Sequence, residues 1–291
     1  MKRFLPLLLL ILSSKSVVAS DIIASIKPIQ LISYELTLGI NEPDVLLAAN
    51  TSPHDYALRP SDVRRINQAD LIIWFGPELE PFLDKILEGR DNVLTLSKID
   101  DLPLREYQGD HHDHDGHDHG SHDPHFWMGV DTASQVAKAI SAKLIEIDPS
   151  QQAAYQANLA QFEARLRQQH NEIAAQLSKV KDQGYYVFHD AYGYFEEDYG
   201  LNQLGFFTVS PERKPGAKTL IAIRQALSKK EAKCVFSEPQ YTPAVVESVT
   251  RNTDVNQGVL DPIGADIVVE AGGYFNFMQQ MADSFEQCLS D

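Results

Sequence analysis

Short runs of β-branched and aromatic residues alternate with amphipathic stretches in two separate parts of the chain. This alternation is typical of a parallel β-sheet with helices packed on its outside. The runs predict strands at 22–26, 45–47, 71–75, 93–96, 185–188, 205–209, 233–236 and 258–260. The stretches between them predict helices at 28–38, from about 61 onward, and at 132–147, 215–227, 243–250 and 275–288. We therefore expect an α/β protein with two lobes, each built on a mainly parallel sheet flanked by helices.

A long helix is predicted between the two parts. Apolar residues recur there at steps of four, three, four, seven, four and three, which is a regular heptad seam. The seam consists of Tyr155, Leu159, Phe162, Leu166, Ile173, Leu177 and Val180. A helix over 150–181 would be about 45–50 Å long, so we expect it to bridge both lobes. A solitary coiled coil is the alternative, and the strands on either side of the seam argue against it.

The first residues have the pattern of a secretory signal peptide. Lys2 and Arg3 precede an apolar run at 4–12, and small residues end at Ala19, where cleavage is expected. The run is too short for a transmembrane helix, which needs about 20 apolar residues; a buried N-terminal helix is the alternative. Cleavage there leaves no cysteine at the new N-terminus, so we expect no lipid anchor. The interpretation is a soluble exported protein, periplasmic if the source is a Gram-negative bacterium.

The expected organisation has four segments. They are a signal peptide at 1–19, an N-terminal α/β lobe at 20–147, a linking long helix at 148–183 and a C-terminal α/β lobe at 184–291.

The net charge of the chain bears on its possible partners. Lys and Arg total 25 and Asp and Glu total 41, a net charge of −16 that repels phosphate backbones, so we expect no nucleic-acid partner.

The two cysteines, Cys234 and Cys288, lack CxxC spacing. In an oxidising compartment such a pair predicts a structural disulfide, which would contribute about 4 kcal/mol in the chain-entropy model. Two buried free thiols are the alternative.

Seven of the ten histidines lie between 111 and 125. The segment 109–124 contains only Gly, Asp, His, Ser and Pro, and is expected to be a flexible loop because it cannot bury apolar surface. Alternating imidazole and carboxylate groups favour weak, multi-site capture of Zn²⁺ or similar ions. The histidines of this accessory loop are His111, His112, His114, His117, His119 and His122. His170 lies in the long helix among charged and amide residues, and is expected to be a solvated surface residue.

Three other histidines are candidates for a compact metal site. His54 lies on a loop beyond a predicted strand, His189 directly follows another, and His125 lies where the polar segment rejoins packed structure. The carboxyl edge of a parallel sheet is where ligands bind, and three neutral imidazoles are a plausible Zn²⁺ set. Each could equally be a structural histidine. Asp55 and Asp190 are candidates to orient the imidazoles, or are ordinary turn residues.

Five stretches of the sequence closely resemble the periplasmic zinc receptors of high-affinity zinc uptake ABC transporters, the ZnuA type of metal-binding receptor. These stretches are SPHDYALRPSD at 52–62, HFW at 125–127, FHDAYGYF at 188–195, FSEPQ at 236–240 and LDP at 260–262. The resemblance covers essentially the whole chain after the signal peptide, including the His/Asp-rich loop and the two cysteines.

The resemblance implies two α/β lobes bridged by one long helix, with zinc in the cleft between the lobes. His54, His125 and His189 match the three histidine ligands of the family. Asp261 matches an aspartate that ligates metal in the manganese-type receptors. Some zinc receptors carry a glutamate at the position that Pro53 occupies here. Proline cannot coordinate a metal through its side chain. Water or Asp261 is therefore expected to complete the site.

The expected function is that of a non-enzymatic receptor. It would bind one Zn²⁺ as its transported ligand and pass it to an ABC permease in the inner membrane, and it is expected to act as a monomer. One alternative is a manganese or iron receptor of the same family, although the manganese-type receptors carry Glu where this chain has His189. A zinc-dependent hydrolase is another, although the chain has no HExxH motif. A free-standing zinc buffer is a third.

Overall fold

The computed structural model describes residues 20–49, 51–106, 122–209, 214–241 and 244–290. The described residues form two four-stranded sheets in which all pairings are parallel. Helices flank both sheets. The α/β class with two parallel sheets, predicted from the apolar runs, is therefore confirmed.

The first sheet has the strand order β2-β1-β3-β4. Its strands are β1 (Ile22–Ala24), β2 (Asp44–Val45), β3 (Leu71–Trp74) and β4 (Val93–Thr95). The helices of this half are α1 (Lys27–Leu36), α2 (Pro60–Gln68), α3 (Asp84–Leu87) and α4 (Val130–Ile147). All residues of β1 and β3 are buried, because a parallel sheet is covered on both faces and its central strands are apolar throughout.

The second sheet has the order β6-β5-β7-β8. Its strands are β5 (Tyr185–His189), β6 (Gln203–Thr208), β7 (Cys234–Ser237) and β8 (Asn256–Val259). The helices of this half are α6 (Gly193–Tyr199), α7 (Ala217–Ser228), α8 (Ala244–Thr250) and α9 (Gly273–Leu289). The central strands β5 and β7 therefore bring residues 189 and 237 to the same edge of this sheet.

The long helix α5 (Gln152–Leu177) joins the two halves. Its 26 residues span about 39 Å. The Asn158 side chain donates hydrogen bonds to the carbonyls of Leu36 and Leu38, at 3.0 and 3.1 Å. Eleven residues further on, the Gln169 side chain donates to the carbonyl of Phe275 at 2.7 Å. The helix is therefore fastened to α1 at one end and to α9 at the other.

The helix ends earlier than its apolar seam predicts. The expected end was residue 181, whereas α5 ends at Leu177. The backbone N–H groups of Val180 and Lys181 both donate to the carbonyl of Leu177, at 3.0 and 2.9 Å. These bonds close a turn that still buries Val180, so the seam continues past the helix. A 3-10 turn over Pro149–Gln151 precedes α5.

A continuous apolar core extends from the first sheet, past α5, to α9 and the second sheet. A smaller apolar cluster lies between the second sheet and α7 and α8. The predicted disulfide is present: Cys234 on β7 bonds to Cys288 on α9, with Cα atoms 5.8 Å apart. It ties the last helix of the chain to the strand beside β5.

The sequence pattern missed the short elements, which are α3, α6 and 3-10 turns at Pro81–Leu83, Leu96–Lys98 and Phe126–Met128. None of them is long enough to display a helical period. Of the helices in the described ranges, none has the length and apolar character needed to cross a lipid bilayer.

Candidate metal centre

His54 reaches the centre from the loop between β2 and α2. Its backbone N–H donates to the Ser52 hydroxyl at 3.3 Å. The same loop is held from its other side by Tyr56, whose hydroxyl donates to Asp62 at the start of α2 at 2.8 Å. His54 is half-buried. These contacts hold the imidazole at the first sheet's carboxyl edge, where the sequence predicted it.

His125 immediately precedes the 3-10 turn Phe126–Met128 and is buried, with 3% of its surface exposed. Asp123 accepts two hydrogen bonds from it, one from Nδ1 at 2.7 Å and one from the backbone N–H at 3.0 Å. Because a carboxylate only accepts, this contact places the proton on Nδ1 and leaves the Nε2 lone pair free to bind a metal.

His189 is the last residue of β5 and is also 3% exposed. Its Nδ1 lies 2.7 Å from Oε1 and 2.8 Å from Oε2 of Glu238, which directly follows β7. The hydroxyl of Tyr192 donates to the same carboxylate at 3.1 Å. Glu238 therefore does for His189 what Asp123 does for His125.

The structure brings the three predicted imidazoles together. One nitrogen from each of His54, His125 and His189 lies within 4.8 Å of the others. The Nε2 atoms of His125 and His189 are 3.3 Å apart. Two nitrogens bound to one tetrahedral Zn²⁺ at 2.0–2.1 Å would be about 3.3–3.4 Å apart. The two buried rings therefore already have the spacing of ligands that share a zinc ion.

The surroundings of His125 favour its neutral form. Burial lowers the pKa of His125 well below its ordinary value; the charge of His189, when that ring is protonated, and the charge of Arg105 act in the same direction. A neutral imidazole is the form that ligates a metal. Two neutral rings with their lone pairs facing each other repel, so a cation between them is favoured.

Arg105 supports the His125 side of the centre. Its guanidinium is 3.3 Å from Asp123 and 2.6 Å from Glu197 on α6, so it connects the two halves of the molecule. Burial raises the pKa of Asp123 to about 7, and the N–H of His125 and the charge of Arg105 oppose that shift by favouring the carboxylate. Gly193 packs directly against the guanidinium, where an added Cβ would clash.

Further hydrogen bonds across the cleft fix the position of the two sheets. The indole N–H of Trp127 donates to the carbonyl of Pro262, and the Tyr274 hydroxyl donates to the carbonyl of Trp127, both at 2.8 Å. The ammonium group of Lys27 donates to the carbonyl of Ala265 at 2.9 Å. The centre is therefore held between surfaces that are already in contact.

Asp261 does not join the imidazole cluster, which contains three residues within the described part of the chain. Its Oδ1 accepts hydrogen bonds from the Gln240 side chain at 2.7 Å and the Ile263 N–H at 3.0 Å. Its Oδ2 accepts from the Ala265 N–H at 2.6 Å. Both oxygens therefore accept hydrogen bonds from neighbouring residues.

Sequence reasoning missed the carboxylates that orient the rings. It offered Asp55 and Asp190 for this role, whereas Asp123 and Glu238 accept from His125 and His189. Asp190 is buried, and that burial raises its pKa. One signal was available: Glu238 follows β7, the strand beside β5, so both side chains had to lie at one sheet edge.

The remaining histidines divide between two regions. His111, His112, His114, His117 and His119 lie outside the described residues. His122 is described and forms an isolated antiparallel bridge with Glu106, which brackets 107–121. The expectation that His170 is a solvated surface residue is wrong: its ring is half-buried, lies 5.3 Å from that of Tyr199, and has a buried Nδ1.

A cavity of about 10 Å³ adjoins the three imidazoles. It is walled by Pro53, Trp127, Glu238, Gln240, Tyr241, Pro262 and Ile263. This volume is close to the space that one water molecule needs, about 10–15 Å³.

Comparison with known proteins agrees with this architecture. The family model described as zinc-uptake complex component A, periplasmic, matches residues 22–288. The high-affinity zinc uptake system protein ZnuA of Yersinia pestis is 41% identical over 301 residues, covering 97% of this chain and 95% of that protein. The protein of the same name from Haemophilus ducreyi is 41% identical over 303 residues and 98% of both chains.

A solved structure has the same fold. A zinc-bound ZnuA mutant lacking its residues 138–173 superposes with a TM-score of 0.79 at 24% identity, over 94% of this chain and 99% of that one. The family model matches nearly all of the described chain, and full-length relatives are 41% identical to it. This chain therefore belongs to the ZnuA family of periplasmic zinc-uptake components.

Proposed function

We propose that this chain is a periplasmic receptor that binds one Zn²⁺ in the cleft through His54, His125 and His189 and delivers it to an ABC permease in the inner membrane. The observation that carries the proposal is the 3.3 Å separation of the His125 and His189 Nε2 atoms, with His54 beside them. The names of the full-length relatives, which are zinc uptake system proteins, support zinc as the cargo.

The positions of the Nδ1 protons on His125 and His189 explain how these rings would bind the ion. The Asp123 and Glu238 carboxylates each hold the Nδ1 proton of one ring. Both Nε2 lone pairs therefore point at the ion, and no proton has to leave these two rings before binding. The two carboxylates also supply negative charge beside a site whose three direct ligands are neutral, which favours a dication over a monovalent ion.

The ligand set favours Zn²⁺ over Mn²⁺. Imidazole nitrogen suits zinc, whereas manganese prefers carboxylate and water oxygens in octahedral geometry. A cluster of three imidazoles beside a water-sized cavity offers neither the oxygens nor the room for six ligands. The same small cavity argues against a hydrolase, which needs a pocket for its substrate next to the metal-bound water.

We assign a separate, weaker role to the His/Asp-rich segment. Its histidines, His111, His112, His114, His117, His119 and His122, would collect zinc near the cleft. The Glu106–His122 bridge and the hydrogen bond from the Asp123 N–H to the Arg105 carbonyl lie next to His125 in the sequence, which supports a role for this segment near the cleft.

Calorimetric titration of the exported, full-length mature protein tests the proposal. We expect one tight Zn²⁺ equivalent, followed by weaker ones, and much weaker binding of Mn²⁺. His189→Glu should shift the preference toward Mn²⁺, because a hard oxygen replaces a borderline nitrogen. Equal or tighter binding of Mn²⁺ by the unchanged protein would instead support a manganese or iron receptor. Ester or phosphate hydrolysis that disappears in His189→Ala would support the hydrolase.

Delivery to a permease is tested by zinc uptake. In cells that lack the native receptor but keep its permease, we expect the unchanged chain to restore uptake at low external zinc. The variant with all three histidines replaced should not restore it. Equal uptake with both proteins would contradict delivery through this centre.

A further inference from the structure

A second cavity lies between α5 and α9 and shares no wall with the cavity beside the imidazoles. Its volume is about 380 Å³, within the range of about 300–1,000 Å³ that is usual for small-molecule pockets. One wall is a single face of α5, formed by Arg165, Gln168, Gln169 and Glu172. The facing wall lies on α9 and is formed by Phe275, Asn276 and Gln279. None of these residues belongs to the proposed zinc site, so the cavity can serve a different ligand.

Arg165 places a positive charge beside this cavity. Its guanidinium carbon lies 4.2 Å from the centre of the Phe275 ring, within cation–π distance, and a Cβ added to Gly272 would lie 2.8 Å from one of its nitrogens. Burial raises the pKa of Glu35 and the charge of Arg165 opposes that shift, but the Glu35 carboxylate accepts from the Gly272 N–H. Within the described ranges, no group accepts a hydrogen bond from the guanidinium. Its donors therefore remain available to an anionic ligand.

Gln169 adds a buried acceptor to the same cavity. The residue is 9% exposed, and its Nε2 donates to the Phe275 carbonyl at 2.7 Å. That bond fixes the orientation of the amide, because a carbonyl cannot donate in return. The Gln169 Oε1 atom is buried and has no hydrogen-bond partner among the described residues. Since buried acceptors normally have a partner, a donor in the cavity that Gln169 lines would supply the missing bond.

Glu172 brings a negative charge to the other end of the α5 wall. It lies seven residues after Arg165, or about 10 Å along the helix. The Gln168 side chain donates to one of its oxygens at 2.8 Å, which holds the carboxylate on the face that lines the cavity. The cavity therefore combines one cation and one anion with four amide side chains, those of Gln168, Gln169, Asn276 and Gln279.

We propose that this cavity binds a short peptide in its zwitterionic form, with its carboxylate on Arg165, an N–H group on Gln169 Oε1 and its ammonium group on Glu172. A planar guanidinium binds a carboxylate through two parallel hydrogen bonds, and an ammonium group, which only donates, fits a carboxylate acceptor. Three extended residues span at most about 10–11 Å, which matches the separation of the two charges along α5. The inference does not depend on the proposed zinc site.

Calorimetry with trialanine tests the ligand class. The metal-free mature chain is titrated with a chelator present, because free peptides also bind zinc. We expect one binding site for trialanine. Trialanine amide should bind about 10-fold more weakly or worse, because it loses the charge-assisted hydrogen bonds to Arg165, and the N-acetyl peptide should also bind more weakly. Absence of binding, or equal binding of trialanine and its two blocked forms, would overturn the proposal.

Arg165→Ala locates the site, and Arg167→Ala is its matched control. Both arginines are exposed on α5, but of the two only Arg165 lines the cavity. Arg165→Ala should weaken trialanine binding about 10-fold or more, and Arg167→Ala should leave it unchanged. Unchanged binding in Arg165→Ala, or an equal loss in both variants, would place the peptide elsewhere and overturn the proposal. If Arg165→Ala fails to fold, the comparison of trialanine with its amide in the unchanged protein decides.

Discussion

Glu238→Gln removes the charge that orients His189 and keeps the shape of the side chain. The unchanged carboxylate accepts from His189 Nδ1 at 2.7 Å and from the Tyr192 hydroxyl at 3.1 Å. A glutamine Oε1 can still accept from Nδ1, but the bond is then between neutral groups. Hydrogen bonds to a charged group contribute about 1.5–3 kcal/mol and neutral ones about 0.5–1.5 kcal/mol. The difference of about 1–1.5 kcal/mol corresponds to zinc binding weakened roughly 5–13-fold.

Glu196→Gln is the matched control for this variant. Glu196 lies in the same half of the molecule, is buried, and accepts from the hydroxyl of Tyr185 at 2.8 Å. It is the same substitution at a buried site without a histidine contact, so it controls for the exchange of carboxyl for amide in the same half of the molecule. Competition with a zinc chelator should show weaker binding in Glu238→Gln and unchanged binding in Glu196→Gln. The proposed role of the Glu238 charge would be refuted if Glu238→Gln bound zinc as tightly as the unchanged protein. It would also be refuted if Glu238→Gln and Glu196→Gln lost the same zinc affinity.

Three further predictions concern the accessory segment, the disulfide and a buried acid. Deleting 110–121, which leaves the bridge at His122 in place, should remove the weak zinc equivalents in calorimetry; loss of the tight equivalent from a folded protein would reverse the assignment. Replacing Cys234 and Cys288 with Ala should lower the unfolding free energy in urea by about 4 kcal/mol, because the disulfide closes a loop with a sequence separation of 54; a change below about 1 kcal/mol would contradict this. Burial raises the pKa of Glu196 from 4.5 to about 8, so the folded state holds a proton that the unfolded chain releases, and stability should fall as pH rises from about 4.5 to 8. Glu196→Gln should flatten that decline by up to about 1.4 kcal/mol per pH unit, and identical urea curves for both proteins at pH 5 and pH 8 would contradict the shift.

The fold was largely predictable because its signals are local. Buried parallel strands need continuous apolar runs, and α5 needs an apolar seam, so both are visible in the order of residues. The edge strand β2 has two residues, and α6 has seven with an aromatic buried face. Tertiary packing determines such elements, and they are too short to show the hydrophobic period of a helix or a strand.

The candidate site was predictable only in part, for a related reason. His54 and His189 lie at or beyond strand ends, and sheet topology brings strand ends together. The partners of the rings depend on side-chain direction, which the order of residues does not give. Asp123 orients its neighbour His125, but Glu238 reaches His189 from another strand. Likewise, Asp261 matches a known ligand position, but its hydrogen bonds to Ile263 and Ala265 become visible only in three dimensions.

A competitive zinc titration of His189→Ala against His170→Ala tests the central claim most directly. His189 contributes its Nε2 to the cluster from the end of β5, whereas His170 lies on α5 beside Tyr199. We predict that His189→Ala loses at least about 100-fold in affinity at the tight equivalent, more than an outer-shell change normally costs. His170→Ala should bind as the unchanged protein does. Unchanged tight binding in His189→Ala would contradict a zinc site in the cleft.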